Sequence, residues 1–212
     1  MSPPRPSPPA PARTLAVILP EGAGPPADVP PDVFSLALHN YLECRRLERG
    51  EMARTLGMSR ATLWRRIGSR DRLLGALLWY RARLGVAAAH AAASGSTGIE
   101  RVLQLNDYLL RRFNEQAPLR RLLDQEPEIA LRVLTSKHGP VQPGLVAAQR
   151  RLLEEEQRFG LVLALPADVL SFAIVRLAEG FLYADQIAGH EPDVDRAMEL
   201  VRGLVVGNVV AP

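Results

Sequence analysis

Cysteine is nearly absent from this chain. Cys44 is the only one in 212 residues, which excludes an internal disulfide framework and fits a reducing, cytoplasmic setting. Cys44 itself is expected to pack as a small apolar residue. Lysine is as scarce: Lys137 stands alone and every other basic side chain is arginine. A GC-rich genome explains that bias as readily as phosphate chemistry does. Metal-ligand spacing is missing too. His39, His90, His138 and His190 fall in separate segments with no H-x-x-x-H or E-x-x-H pair, so no metal is expected. There is no G-x-S-x-G, no P-loop and no Gly-rich dinucleotide turn after a strand, and no cofactor is expected. Catalysis would therefore need a site assembled in space without a local motif. Residues 1–13 lack the apolar stretch of a signal peptide. The longest apolar run, Leu161 to Ala178, contains Pro166, Asp168 and Arg176, and charges near mid-bilayer cost several kcal/mol. That run reads as a helix covered on more than one side, in a soluble protein with no membrane partner.

What the chain does have is 47% apolar and 23% charged residues, enough for one or two compact units with a substantial core. The net charge of +3 hides an asymmetry. Residues 32–86 carry eleven arginines against five acidic residues, whereas residues 87–212 carry a net −3. A basic head on a mildly acidic body places an anionic partner at one end. Residues 1–31 hold eleven of the eighteen prolines and read as a disordered or polyproline arm. Within it, Leu15-Ala16-Val17-Ile18-Leu19 is apolar and β-prone, suited to docking on the body or a partner subunit, with a disordered end as the equal alternative. Two arginines are too few for a DNA-binding arm.

Residues 51–78, EMARTLGMSRATLWRRIGSRDRLLGALL, are the most informative stretch. Met52, Ala53 and Leu56 lead to Gly57, and Ser59 is a good N-cap for a helix from Arg60 to Ile67. That helix carries Arg60, Thr62, Arg65 and Arg66 around a minority of apolar residues. Helix, glycine-containing turn and short arginine-rich helix form the helix-turn-helix pattern, whose second helix enters the DNA major groove. The plainer alternative is a helical hairpin with a solvated charged face.

The same residues carry a family resemblance. Met52-Ala53, Leu56-Gly57-Met58-Ser59, Thr62-Leu63-Trp64, Ile67, Arg70 and Leu73-Leu74 resemble the N-terminal signature of TetR-type bacterial repressors at matching spacings. The proline-rich arm and C-terminal half are also similar to the QsdR-type branch, associated with genes for degrading lactone quorum-sensing signals. The resemblance implies a dimer on a two-fold double-stranded operator. Ser59 would cap the recognition helix, Arg60, Thr62 and Arg65 would reach base edges, and Trp64 would pack on the sugar-phosphate wall. Arg70 would stand where the family has a phosphate-binding lysine. Arg49 would replace a threonine phosphate contact that this chain lacks, and Arg66 faces either solvent or DNA.

From Pro31 onward the chain reads as helix, with segments at about 32–48, 70–93, 98–116, 118–136, 141–159, 166–189 and 191–208 in addition to the helix-turn-helix. The expected fold is all-α. An N-terminal three-helix bundle spans 32–94 and a larger ligand-binding and dimerisation domain spans 95–212. At 100° per residue the helix beginning at Pro166 shows three stripes. Leu170, Ala173, Ile174, Leu177, Phe181 and Ala188 make the body core. Ser171, Val175, Ala178 and Leu182, with Ala197, Leu200, Val201 and Leu204 of the final helix, are expected in a four-helix dimer interface. Phe172, Arg176, Glu179 and Tyr183, with Trp79, Tyr80, Asn106, Tyr108, Leu109 and Phe113, are the candidate pocket walls; an internal Arg176–Glu179 ion pair is the structural alternative. The resemblance implies a small, lactone-like apolar ligand, a γ-lactone or an acyl-homoserine lactone with a short apolar tail, that shifts the body to a conformation with weak operator affinity. Beside this stand a helical adaptor for a protein partner, which salt would barely affect, and an enzyme without a local motif.

Overall fold

The computed structural model describes residues 29–209; expectations for the Leu15–Leu19 insert lie outside them. Two compact units divide between Leu73 and Leu74. In the first, α1 (Pro31–Leu42), α2 (Arg49–Thr55) and α3 (Arg60–Ile67) precede the opening turn of α4 (Arg70–Ala92). Val33, Phe34, Ala37, Leu38, Met52, Ala53, Leu63 and Ile67 are buried and form its core. Helix α1 is shorter than the expected 32–48 segment. It stops because Cys44 turns left-handed at φ 55°, letting the Arg45 amide donate to the Asn40 carbonyl at 2.7 Å and closing the helix end. Gly57 at φ 64° makes the α2–α3 turn, a backbone position glycine takes without strain.

The second unit holds the rest of α4 with α5 (Gly98–Asn114), α6 (Ala117–Gln125), α7 (Pro127–Leu134), α8 (Val141–Arg158), α9 (Ala167–Glu179), α10 (Asp185–Ile187) and α11 (Val194–Val206). Pro118, Pro127 and Pro166 stand at or just before helix starts, where a missing amide costs nothing. The fold is all-α, and the described residues contain one isolated β-bridge, Leu163 to Val209. Ala89 and Ala93 of α4, Val102 and Leu105 of α5, Leu152 and Leu153 of α8, Leu170 and Ile174 of α9, and Val201 and Val205 of α11 share one core. Trp79 of α4 lies against Gly144 of α8, where a side chain would not fit.

Beneath α5 sits a buried charge cluster. Glu156 is fully enclosed and accepts from the Gly98 amide at 2.5 Å and from Arg101 Nη1 at 2.6 Å. Helix N-terminus and guanidinium together neutralise the carboxylate. Burial works against the charged Arg101, but its hydrogen bond to Glu156 and the charges of Glu155 and Glu156 outweigh it and raise its pKa.

The helix expected over 166–189 is interrupted. A single π turn, Gly180–Ala184, separates α9 from α10. It takes up one extra residue, so stripes drawn at constant angle lose register beyond Glu179.

Candidate nucleic-acid interface and ligand cavity

In the first unit, Ser59 caps α3. Its Oγ accepts from the Thr62 amide at 3.1 Å and pairs with Thr62 Oγ1 at 2.9 Å. Leu63 and Ile67 point into the core, while Arg60, Arg65 and Arg66 are exposed, Arg65 on the side away from them. Arg65 Nη2 donates to Thr62 Oγ1 at 3.4 Å, so two of the three expected base-reading residues share one patch. The Arg60 guanidinium lies over Gly50 of α2.

The two departures from the family pattern meet each other. Arg49, standing in place of the missing threonine, stacks on Trp64, which stands in place of tyrosine, at 4.6 Å from the ring centroid. Trp64 and Arg49 are thus partners in this structure, a pairing that the separate roles expected of them did not include. Arg66 stays in solvent, and its Nη1 donates to Asp32 at 3.0 Å, tying α3 to the start of α1. Arg70 is half-buried at the start of α4, where Ser69 Oγ accepts from the Arg72 amide as a cap.

In the second unit, α4, α5, α8, α9 and the π turn enclose a cavity of about 60 Å³. Asn106, Leu109, Phe113, Glu179 and Tyr183 line it, five of the candidate wall residues. The other five lie elsewhere. Trp79 is spent on Gly144. Tyr80 is buried in the core, which pushes its pKa up against the charges of Arg81 and Arg83. Tyr108 packs on the edge of the shared core. Phe172 and Arg176 face water, Phe172 being 53% exposed. Arg176 reaches back with Nη1 to Glu179 Oε2 at 2.7 Å, so the ion pair forms at the cavity's edge.

The assignment of stripes also changes. Ser171, Val175, Leu182, Ala197 and Val201 are buried within the chain, and no partner subunit can reach them. Ser171 hydrogen-bonds the Asp168 carbonyl at 2.9 Å, while Val175, Ala178 and Leu182 line the cavity. Ala178 and Leu204 are half-buried, and of the eight interface candidates only Leu200 is exposed. The stripes are real, but the small-residue stripe faces the chain's own interior because α8 packs along it. Val169 and Phe172 of α9 and Leu200 and Val206 of α11 are exposed apolar residues, as are Leu131, Phe159, Val162 and Leu165 elsewhere in the unit.

Two polar wall residues, besides the apolar ones, escaped the sequence reading. His90 lines the cavity with its Nδ1 3.4 Å from Arg101 Nη2, and burial, then Arg101, holds its pKa below the ordinary value. Gln149 lies two turns after Gln142 on the buried side of α8. Polar residues on an otherwise apolar stripe were the available signal.

A model of the tetracyclin repressor-like C-terminal domain matches residues 97–206, more than half of the chain. The chain belongs to the TetR family. No curated protein matches the sequence. Among solved structures, the R. erythropolis transcriptional repressor QsdR, described as a TetR-family protein, is similar at 26% identity and TM-score 0.74, over 85% of this chain and 95% of that one. TetR-family members are DNA-binding transcriptional regulators that typically act as dimers, so the TetR assignment sets aside the enzyme and adaptor readings. No described helix is long and apolar enough to cross a membrane.

Proposed function

We propose that this chain is a homodimeric repressor that binds a palindromic operator through α3 and is released by a small, neutral, lactone-like ligand in the α4–α5–α8–α9 cavity. Residues 32–94 would carry the DNA-binding role and residues 95–212 the ligand-binding and dimerisation roles, with α4 lending Val86 and His90 to the cavity. The observation that supports the operator role most directly is the capped α3 with Arg60 and Arg65 in water around Thr62. A bidentate arginine–guanine contact discriminates by about 1–3 kcal/mol, and helix starts favour phosphate through their oriented amides. One such head binds weakly and without much specificity, hence the dimer.

The dimer surface moves to Val169, Phe172, Leu200 and Val206. Helices α9 and α11 pack side by side, and apolar residues of both stay exposed. The cavity matches an effector site in its apolar walls and few oriented polar groups. Its volume of about 60 Å³ is below the roughly 150 Å³ that houses benzene in an engineered cavity. Even a five-membered lactone, with as many heavy atoms as benzene, requires the walls to part, and a longer acyl tail requires them to part further. A 100-fold loss of operator affinity on binding needs about 2.7 kcal/mol of coupling between ligand and DNA.

The test is fluorescence anisotropy with DNA upstream of the chain's own gene, against scrambled competitor, over a salt series. Preferential binding with a steep salt slope is expected. Arg60→Ala with Arg65→Ala should remove the preference and leave the dimer intact. Sequence preference surviving that double change would refute the role given to α3.

A further inference from the structure

Two arginines of the first unit stand where the fold gives them no anionic partner. Arg49 opens α2 and Arg60 opens α3, and a helix macrodipole disfavours a cation in its first turn. Both are exposed, and among the described residues neither has a carboxylate within ion-pair distance. Glu48 faces Arg46 at 3.8 Å, Asp32 takes Arg66 at 3.0 Å, and Glu51 pairs with neither arginine. Yet both side chains turn into the gap between α2 and α3. Arg60 Nη2 lies over Gly50, 2.8 Å from where a side-chain carbon would stand. Arg49 stacks on Trp64, one turn after Arg60 on α3, at 4.6 Å from the ring centroid. Stacking occupies a face of the guanidinium and leaves its N–H edge open to an anion. One guanidinium belongs to residue 49 and the other covers residue 50, so two like charges share the start of α2 with nothing to balance them.

Arg65 is organised differently. Five residues on, it is turned roughly 140° about the helix from Arg60, so the two cannot serve one contact. Thr62 Oγ1 shares a hydrogen with Ser59 Oγ at 2.9 Å and accepts from Arg65 Nη2 at 3.4 Å. The Thr62 amide also donates to Ser59 Oγ at 3.1 Å. This chain of bonds sets the direction of Arg65 and engages the threonine hydroxyl on two sides. Arg65 keeps its remaining N–H groups for a partner. On a base edge, the two-pronged match for arginine is guanine, through O6 and N7. Phosphate contacts, by contrast, position the protein and carry no sequence.

We propose that the arginines divide the work of the recognition helix: Arg49 and Arg60 clamp one phosphate of the DNA backbone, while Arg65 reads a guanine in each half-site. Thr62 is then a positioning residue for Arg65, and neither it nor Arg60 reads a base. This rests on the reading of α3 as the recognition helix.

Fluorescence anisotropy of the full-length protein with the upstream duplex and its scrambled counterpart, over a salt series, separates the two roles. Arg60→Ala should weaken both duplexes by the same factor, and so should Arg49→Ala. Each should lower the slope of log affinity against log salt by up to about 0.9 per subunit. Arg65→Ala should cut the preference by about 5- to 150-fold per half-site and leave the slope unchanged. Thr62→Val should reduce the preference, again without touching the slope. Guanines of the upstream duplex are then replaced one at a time by 7-deazaguanine, which lacks the N7 acceptor. One position per half-site should weaken the native protein and leave Arg65→Ala indifferent. A preference that collapses with Arg60→Ala, or survives Arg65→Ala, overturns the division. A slope unchanged by Arg60→Ala overturns the clamp, and the lack of any sensitive guanine overturns the base assigned to Arg65. A native protein that binds both duplexes alike removes the operator reading and the guanine with it, while the Arg60→Ala slope on either duplex still decides the clamp. If it binds neither, all fall together.

Discussion

Gly144 in the first turn of α8 lies under the six-membered ring of Trp79. A Cβ added at 144 would stand 2.6 Å from Trp79 Cζ2, with Cη2 and Cζ3 closer still. Non-bonded carbons rest about 3.5–4.0 Å apart, so the overlap is about 1 Å against a rigid bicycle. Two effects oppose each other in Gly144→Ala. Removing glycine's backbone freedom from a helix favours folding by up to about 1 kcal/mol. Overpacking costs about 1–3 kcal/mol, and three ring carbons in conflict place it at the upper end. The expected net effect is a loss of about 1–2 kcal/mol. In a Trp79→Leu background the ring is gone, and the same substitution should stabilise by up to about 1 kcal/mol. Urea unfolding of native protein, both single variants and the double variant closes the cycle, with an expected coupling of about 2–3 kcal/mol. Gly144→Ala acting with the same sign and size in both backgrounds would refute the contact. The outcome bears on function as well, because it fixes Trp79 as the contact between α4 and α8 and not as a wall of the cavity.

Phe172→Asp should convert a dimer to a monomer in light scattering, because Phe172 is exposed in the single chain; an unchanged dimer would move the interface away from α9. Cys44→Gly should raise stability by about 1 kcal/mol, since a non-glycine residue at φ 55° carries roughly that strain, and a measured loss would mean the thiol's packing outweighs the backbone. His90 is depressed by burial first and by Arg101 second. The unfolded imidazole therefore takes a proton near 6.5 and the folded one only at lower pH, so stability falls as pH drops below about 6.5. His90→Gln should flatten that fall between about pH 7.5 and pH 5 in denaturation midpoints; parallel curves for the two proteins would count against it.

The helix-turn-helix was readable because its signals are local: a cap, a glycine with positive φ and an apolar triplet all lie within a dozen residues. Helix starts were readable for the same reason, since Pro118, Pro127 and Pro166 mark them. The end of α1 was not, because a left-handed cysteine gives no compositional warning. The cavity was half readable. Amphipathic periodicity separated the faces of α9 correctly, yet a buried face covered by α8 and one covered by a second subunit look alike in one sequence. Val175 therefore lines the cavity and Phe172 faces water, the reverse of the expectation. Arg49 and Trp64 illustrate the same limit: each reads as a departure from a pattern, and only proximity shows that they answer one another.

The π turn at Gly180–Ala184 has a consequence for how such a pocket can diverge. It stores one residue beyond what an uninterrupted helix needs, and it does so between Glu179 and the Leu182–Tyr183 part of the wall. Loss of a single codon there would let the helix close into regular α geometry while its flanking turns, α5 and α8 keep their places. The wall beside the carboxylate would be redrawn without exchanging a side chain anywhere else. Length variation of one residue at this point is thus a dial for ligand choice, separate from the recognition helix and from the fold, and reachable by an indel where no substitution would serve.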